Sequence, residues 1–246
     1  MDFNYRKPMH ILALLLIFSS IFIIFISQVL SFFNIPPFDQ PTDYESLGLL
    51  LDVFFLVIYL LITFVFFILF PLLWYLIVNS LSFKKAFSKM RLTFENIDIA
   101  FLWGILTVIL IFIISFVSVF LLQQSGAEMS DLSNIPDLER IFSSPAILFL
   151  IVAITPIAEE IFFRGFLMEK IESFAGKNFA IVGSAVLFGI AHMGYGKIYP
   201  VLMPIVMGLL LGYVVYKTKN LLASIIAHVT FNVTVIILYF AFRSIV

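Results

Sequence analysis

Seven times along its 246 residues the chain runs apolar for about the length that crosses a lipid bilayer. A helix rises 1.5 Å per residue, so the roughly 30 Å hydrocarbon layer needs about 20 mostly apolar residues. By that rule spans fall near residues 9–33, 48–70, 97–122, 146–168, 178–194, 199–216 and 221–243. The segment after Pro71, "LLWYLIVNSL", is apolar but short and reads as a broken extension of the second span, so the count is seven with a range of six to eight. Only helices and closed barrels satisfy every backbone polar group inside lipid. Runs this long, without period-two alternation, specify an all-α polytopic transmembrane helix bundle. Composition agrees, since 63% of residues are hydrophobic and 12% charged, against about 25% charged in globular domains.

The polar gaps divide by charge. Arg6 and Lys7 precede span one; Lys84, Lys85, Lys89 and Arg91 follow span two; Lys170 and Lys177 follow span four; Lys217 and Lys219 follow span six. The alternate gaps hold only Arg140, Lys197 and the near-terminal Arg243. Lys and Arg accumulate on the cytoplasmic side. The expected topology is therefore an integral, multi-pass protein of the plasma membrane, N-terminus cytoplasmic and C-terminus outside. The acidic loops 34–47 and 123–142 then face outward. The first apolar run exceeds the 7–15 residues of a signal core and lacks a small-residue cleavage site, so it reads as an uncleaved helix. A net charge of −1 excludes a basic nucleic-acid binder. The absence of cysteine excludes disulfides, thiolate nucleophiles and Cys-based zinc sites.

Ionisable groups inside a span cost about 2.5–3.5 kcal/mol each on insertion scales and mark functional sites by default. Well inside the spans lie Glu159, Glu160 and Arg164 on span four, His192 on span five, and His228 and Asn232 on span seven. Asp52, Asp98 and His10 lie at span ends, near water, and need no functional reading. Residues four apart share a helix face, which aligns Glu160 with Arg164, Phe188 with His192, and His228 with Asn232. Glu160 and Arg164 are thus set to neutralise each other, while Glu159 points about 100° away. That leaves Glu159 the freer carboxylate, suited to act as general base toward water. Glu159, His192 and His228 would also supply three ligands of the catalytic-zinc type, although no cofactor is firmly implied. Two alternatives use the same residues: polar pairs that stitch helices together, and an ion-coupled transport pathway. No internal repeat of the kind many transporters carry is present. H-E-x-x-H, G-x-S-x-G and Walker A sequences are also absent.

The three motifs "EEIFFR" (159–164), "FGIAH" (188–192) and "HVTFN" (228–232) resemble, in order and spacing, those of the CPBP family. These are the CAAX proteases and bacteriocin-processing enzymes, also called Abi, and include Rce1-like prenyl-protein proteases. The pattern E-E-x-x-x-R, F-x-x-x-H, H-x-x-x-N/D is filled at every position. The resemblance covers about residues 145–240, dividing the chain into N-terminal helices (1–144) and a catalytic helical core (145–246) within one membrane domain. It implies an intramembrane endopeptidase acting on a membrane-associated protein or peptide. By it, Glu159 activates water, His192 orients that water, His228 and Asn232 stabilise the oxyanion, and Glu160, Arg164 and Phe188 give support. Members are often labelled metalloproteases, and a metal-free glutamate mechanism has also been argued, so zinc stays open. Some relatives resemble immunity or regulatory proteins that bind a partner without cutting it. Neither oligomeric state nor substrate identity is fixed by the resemblance. The drawn spans place Glu159 about 13 Å, His228 about 10 Å and His192 about 20 Å from the cytoplasmic side, a mismatch that requires span five to begin deeper or the helices to shift.

Overall fold

The computed structural model describes residues 3–32, 48–126 and 144–242. The expected outer loops 34–47 and 123–142 fall almost wholly outside the described residues. Those described form helices and turns, without a strand. Helix α1 spans Pro8–Phe32. Helix α2, Gly48–Thr63, passes through a π-helical turn at Phe64–Leu69 into α3, Phe70–Ile77. A short helix α4, Phe83–Lys89, leads to α5, Ile97–Gln124. Helix α6, Pro145–Glu160, passes through a second π turn, Ile161–Leu167, into α7, Met168–Ile190. A 3₁₀ turn at Met193–Tyr195 precedes α8, Tyr199–Thr218, and α9, Leu222–Phe242.

Two boundaries differ from the sequence expectation. The second span continues to Ile77 instead of stopping near 70. Proline lacks an N–H and its ring clashes with the carbonyl four residues back. The widened π turn stands immediately before Pro71, where Phe70 N–H donates to Val65 O, and the rod continues through it. The second difference matters more. Pro145–Ile190 is one helical stretch of 46 residues, about 69 Å at 1.5 Å per residue. That is twice what a bilayer accommodates. The stretch is folded at Gly176, with φ 81 and ψ 174, a conformation open to glycine and rare for other residues. Spans four and five are thus the two arms of one elbow, and six continuous stretches among the described residues yield seven rods. The second arm is only about 21 Å long, shorter than the roughly 30 Å hydrocarbon layer, and His192 follows its end.

The gaps rich in Lys and Arg meet at one end of the bundle. Phe3 stacks on Trp74 at 6.1 Å. Lys89 pairs with Glu169 at 3.2 Å and Arg91 with Glu172 at 2.6 Å. The turn after α8 is tied to the same place by Leu221 N–H donating to Arg91 O at 2.8 Å. Tyr75, Met90, Phe162, Phe163, Phe166, Phe188, Val215 and Leu221 form the principal core beneath this end. Large apolar side chains on α5, such as Phe116 and Leu121, face outward, as lipid-facing helices require.

Helices α7 and α8 approach closely through small residues, as membrane helices commonly do. A Cβ at Gly208 would lie 2.9 Å from Ala185 Cα, 3.0 Å from its Cβ and 3.2 Å from Arg164 Nη2. The first obstacle is backbone, which cannot swing aside. Gly208→Ala should therefore separate the two helices and lower stability by about 1–3 kcal/mol, read as a lower thermal unfolding temperature in detergent micelles.

Candidate active site

Glu159 and Glu160 close helix α6, and Arg164 follows within the π turn. Glu160 is fully buried, and Arg164 is 1% exposed. Arg164 Nη1 donates to Glu160 Oε1 at 2.8 Å. The expected i, i+4 pair is present, and burial explains it: each charge lies out of water and is offset by the other. Phe188 lies beneath the guanidinium, with Arg164 Cζ 4.2 Å from the ring centroid.

Helix α9 brings His228 onto this pair. Its Nδ1 lies 2.9 Å from Glu160 Oε1. A carboxylate accepts, so Nδ1–H is the donor and Nε2 is turned the other way. Nε2 stands 3.7 Å from Glu159 Oε2. His228 thus bridges the two adjacent glutamates. Helix-face spacing separates their roles but does not encode that His228 binds the supporting carboxylate more closely than the free one.

His192 ends the second arm of the elbow. Its Nδ1 lies 2.8 Å from the carbonyl of Phe188, and because a carbonyl only accepts, Nδ1–H donates and Nε2 is the ring's acceptor. The Phe188 ring holds both histidines, His192 at 4.7 Å and His228 at 5.6 Å between centroids. Glu159 and His192 are electrostatic neighbours. The turn after His192 is fixed from α1, where Gln28 Oε1 accepts from Gly194 N–H at 3.0 Å.

The elbow brings Glu159 and His192 to similar distances from one turn. Span four runs on to Gly176 and does not end at 168. Measured along the two arms from that glycine, Glu159 lies about 25 Å away and His192 about 24 Å. The error lay in the drawn boundaries. Asn232 stands one turn beyond His228, half-buried, and makes no hydrogen bond among the described residues. The structure thus joins Glu159, Glu160, Arg164, Phe188, His192 and His228 in one cluster, with Asn232 on the adjoining turn.

The zinc alternative needs Glu159, His192 and His228 as a converging ligand set. Among the described residues no group of three or more His, Asp or Glu has metal-holding geometry. His228 offers one nitrogen to Glu160 and the other toward Glu159. Two cavities, of about 330 and 410 Å³, lie at the basic end around Lys89 and Glu169, and neither is lined by these residues.

One neighbour carried no motif. Tyr59 on α2 places its hydroxyl 3.4 Å from Thr155 Oγ1, and Thr155 lies one turn before Glu159. A tyrosine in a continuous apolar run gives no spacing signal; only the packing of α2 on α6 brings it to the edge of the site.

Residues 141–234 match the family model described as type II CAAX prenyl endopeptidase Rce1-like. No curated protein and no solved structure matches the chain. The matched segment begins just before α6 and ends within α9, and so contains every residue of the cluster.

Proposed function

With residues 141–234 an Rce1-like unit in a multi-pass membrane protein, we propose that the chain is an intramembrane endopeptidase that cuts a membrane-associated protein or peptide with water activated by Glu159. The observation that carries this reading is the unequal fate of two adjacent carboxylates. Glu160 has 0% side-chain exposure and is bonded by Arg164 and His228. Glu159 keeps 17% exposure and faces His228 Nε2. Only Glu159 is both reachable and uncommitted to a buried ion pair.

In the proposed reaction Glu159 takes a proton from water as the water oxygen attacks the peptide carbonyl carbon. His192, held by Nδ1–H on Phe188 O, accepts the water's other hydrogen at Nε2 and fixes its orientation. The carbonyl oxygen becomes an oxyanion stabilised by the His228 imidazole and by the Asn232 amide. Donors preorganised in a dry site stabilise such charge strongly. The C–N bond then breaks, and Glu159 returns its proton to the leaving amine. By the lysine and arginine excess, the basic end is cytoplasmic in the plasma membrane, and the site opens toward that side.

Phe188 is the common support in this scheme. Phe188→Leu retains an apolar side chain but loses edge-on ring contacts worth about 0.5–1.5 kcal/mol each. The expected outcome is a folded protein with reduced turnover, checked by comparing cleavage with thermal unfolding on the same preparation.

A cellular comparison separates cutting from partner binding. Cells carrying Glu159→Gln or His192→Ala at wild-type abundance should each lose the phenotype conferred by the wild-type chain. Retention of the phenotype by both variants would mean that the chain acts by binding, and the endopeptidase reading would fail.

A further inference from the structure

At the basic end, away from the catalytic cluster, three cations surround one tyrosine. Lys219 Nζ lies 3.6 Å and Lys177 Nζ 4.0 Å from the Tyr216 ring centroid, and Arg91 Cζ lies 5.3 Å from it. The two ammonium groups are therefore no farther apart than the sum of their distances to the ring. Glu172 engages Arg91, while Lys177 and Lys219 form no ion pair among the described residues. Arg91 Nη1 is buried without a hydrogen-bond partner. Like charges repel, so a cluster of this kind is held together by its scaffold.

The scaffold is specific. Arg91 and Lys219 both adopt left-handed backbone, with φ 60 and φ 55, which side-chain-bearing residues rarely do. Their loops are stitched by Leu221 N–H to Arg91 O at 2.8 Å and by Asn220 Nδ2–H to Glu95 O at 2.9 Å. Lys177 is placed by the turn at Gly176. The segments that carry Lys177 and Tyr216 also carry exposed aromatics: Phe174 at 70%, Phe179 at 71% and Tyr213 at 51%. Aromatic side chains mixed with Lys and Arg at helix ends mark the membrane–water boundary, where basic clusters attract anionic lipid.

We propose that Lys177, Lys219 and Arg91 form a binding site for the phosphate of an anionic phospholipid headgroup. The phosphate lies beside the two ammonium groups, with the Arg91 guanidinium against the same ring, and the acyl chains run along Phe179 and Tyr213. A lipid fits better than a free anion because the apolar aromatics continue the site into the bilayer. The site does not depend on proteolysis.

The test uses the full chain in nanodiscs of phosphatidylcholine, with and without phosphatidylglycerol, followed by native mass spectrometry and thermal unfolding. The wild type should retain a phosphatidylglycerol molecule and unfold at a higher temperature when that lipid is present. Lys177→Gln/Lys219→Gln should weaken the lipid's apparent affinity roughly 30-fold, from about fivefold per lysine, with unfolding in phosphatidylcholine alone unchanged. Should the double variant fail to fold, Lys219→Gly removes one charge and places at that backbone position the residue most at ease there; it should lower affinity about fivefold. Equal stabilisation by the two lipids, or undiminished retention in the variants, would overturn the site. Inorganic phosphate at matched ionic strength should leave the unfolding temperature unmoved; an equal rise would make the ligand a free anion and overturn the lipid assignment.

Discussion

Glu159→Gln should yield a protein that folds as before and no longer cuts. The substitution keeps shape and volume and removes only the capacity to accept and return a proton. A positioned general base contributes about 10²–10⁴-fold to rate, and the loss should fall in that range. Stability should change by no more than about 0.5 kcal/mol, because Glu159 is partly exposed and the buried ion pair on Glu160 is untouched. The paired measurement is cleavage against thermal unfolding on one preparation. Glu160→Gln separates the adjacent positions: it should cost stability first, because it leaves Arg164 buried beside a neutral amide.

Arg164→Ala should have the largest effect on the fold. The guanidinium is 1% exposed, bonds Glu160, lies over Phe188 and fits the space left by Gly208. Removing one member of a buried pair costs about 3–5 kcal/mol, since the remaining charge is left uncompensated. Here Glu160 would keep only His228. The expected outcome is a much lower unfolding temperature in micelles, or loss of the folded protein from the membrane fraction. Glu160→Gln combined with Arg164→Met removes both charges and should lose markedly less than the two single changes together, because neither charge is stranded. Additive losses would show that the pair is not what holds these helices.

Much of this arrangement is readable in the sequence because lipid enforces simple rules. Run length identifies the spanning helices, and charge in the gaps sorts their ends into two groups; the structure brings the four gaps that hold ten of the Lys and Arg residues to one end, as the contacts among Phe3, Trp74, Glu169, Arg91 and Tyr216 show. The pairing of Glu160 with Arg164 follows from four-residue spacing and is observed. Hydropathy could not reveal the elbow. Residues 168–178, "MEKIESFAGKN", are polar enough to be read as a loop, yet they continue the helix through Ala175 and turn only at Gly176. That boundary error separated His192 from Glu159 in apparent depth. Pro71 similarly resembles a stop, and a π turn carries the helix past it. Contacts between distant segments, such as His228 on Glu160, Tyr59 near Thr155 or Gln28 on Gly194, depend on packing that spacing within one helix does not encode.

The most direct test of the account is quantitative terminal proteomics on membranes from cells carrying either the wild-type chain or Glu159→Gln at equal abundance, with digestion performed in ¹⁸O-labelled water. The account predicts at least one membrane-associated protein with a new C-terminus that stays free of ¹⁸O in the wild type, because it formed in the cell before digestion, and whose uncut form accumulates with Glu159→Gln. Identical sets of termini in the two membranes would contradict it.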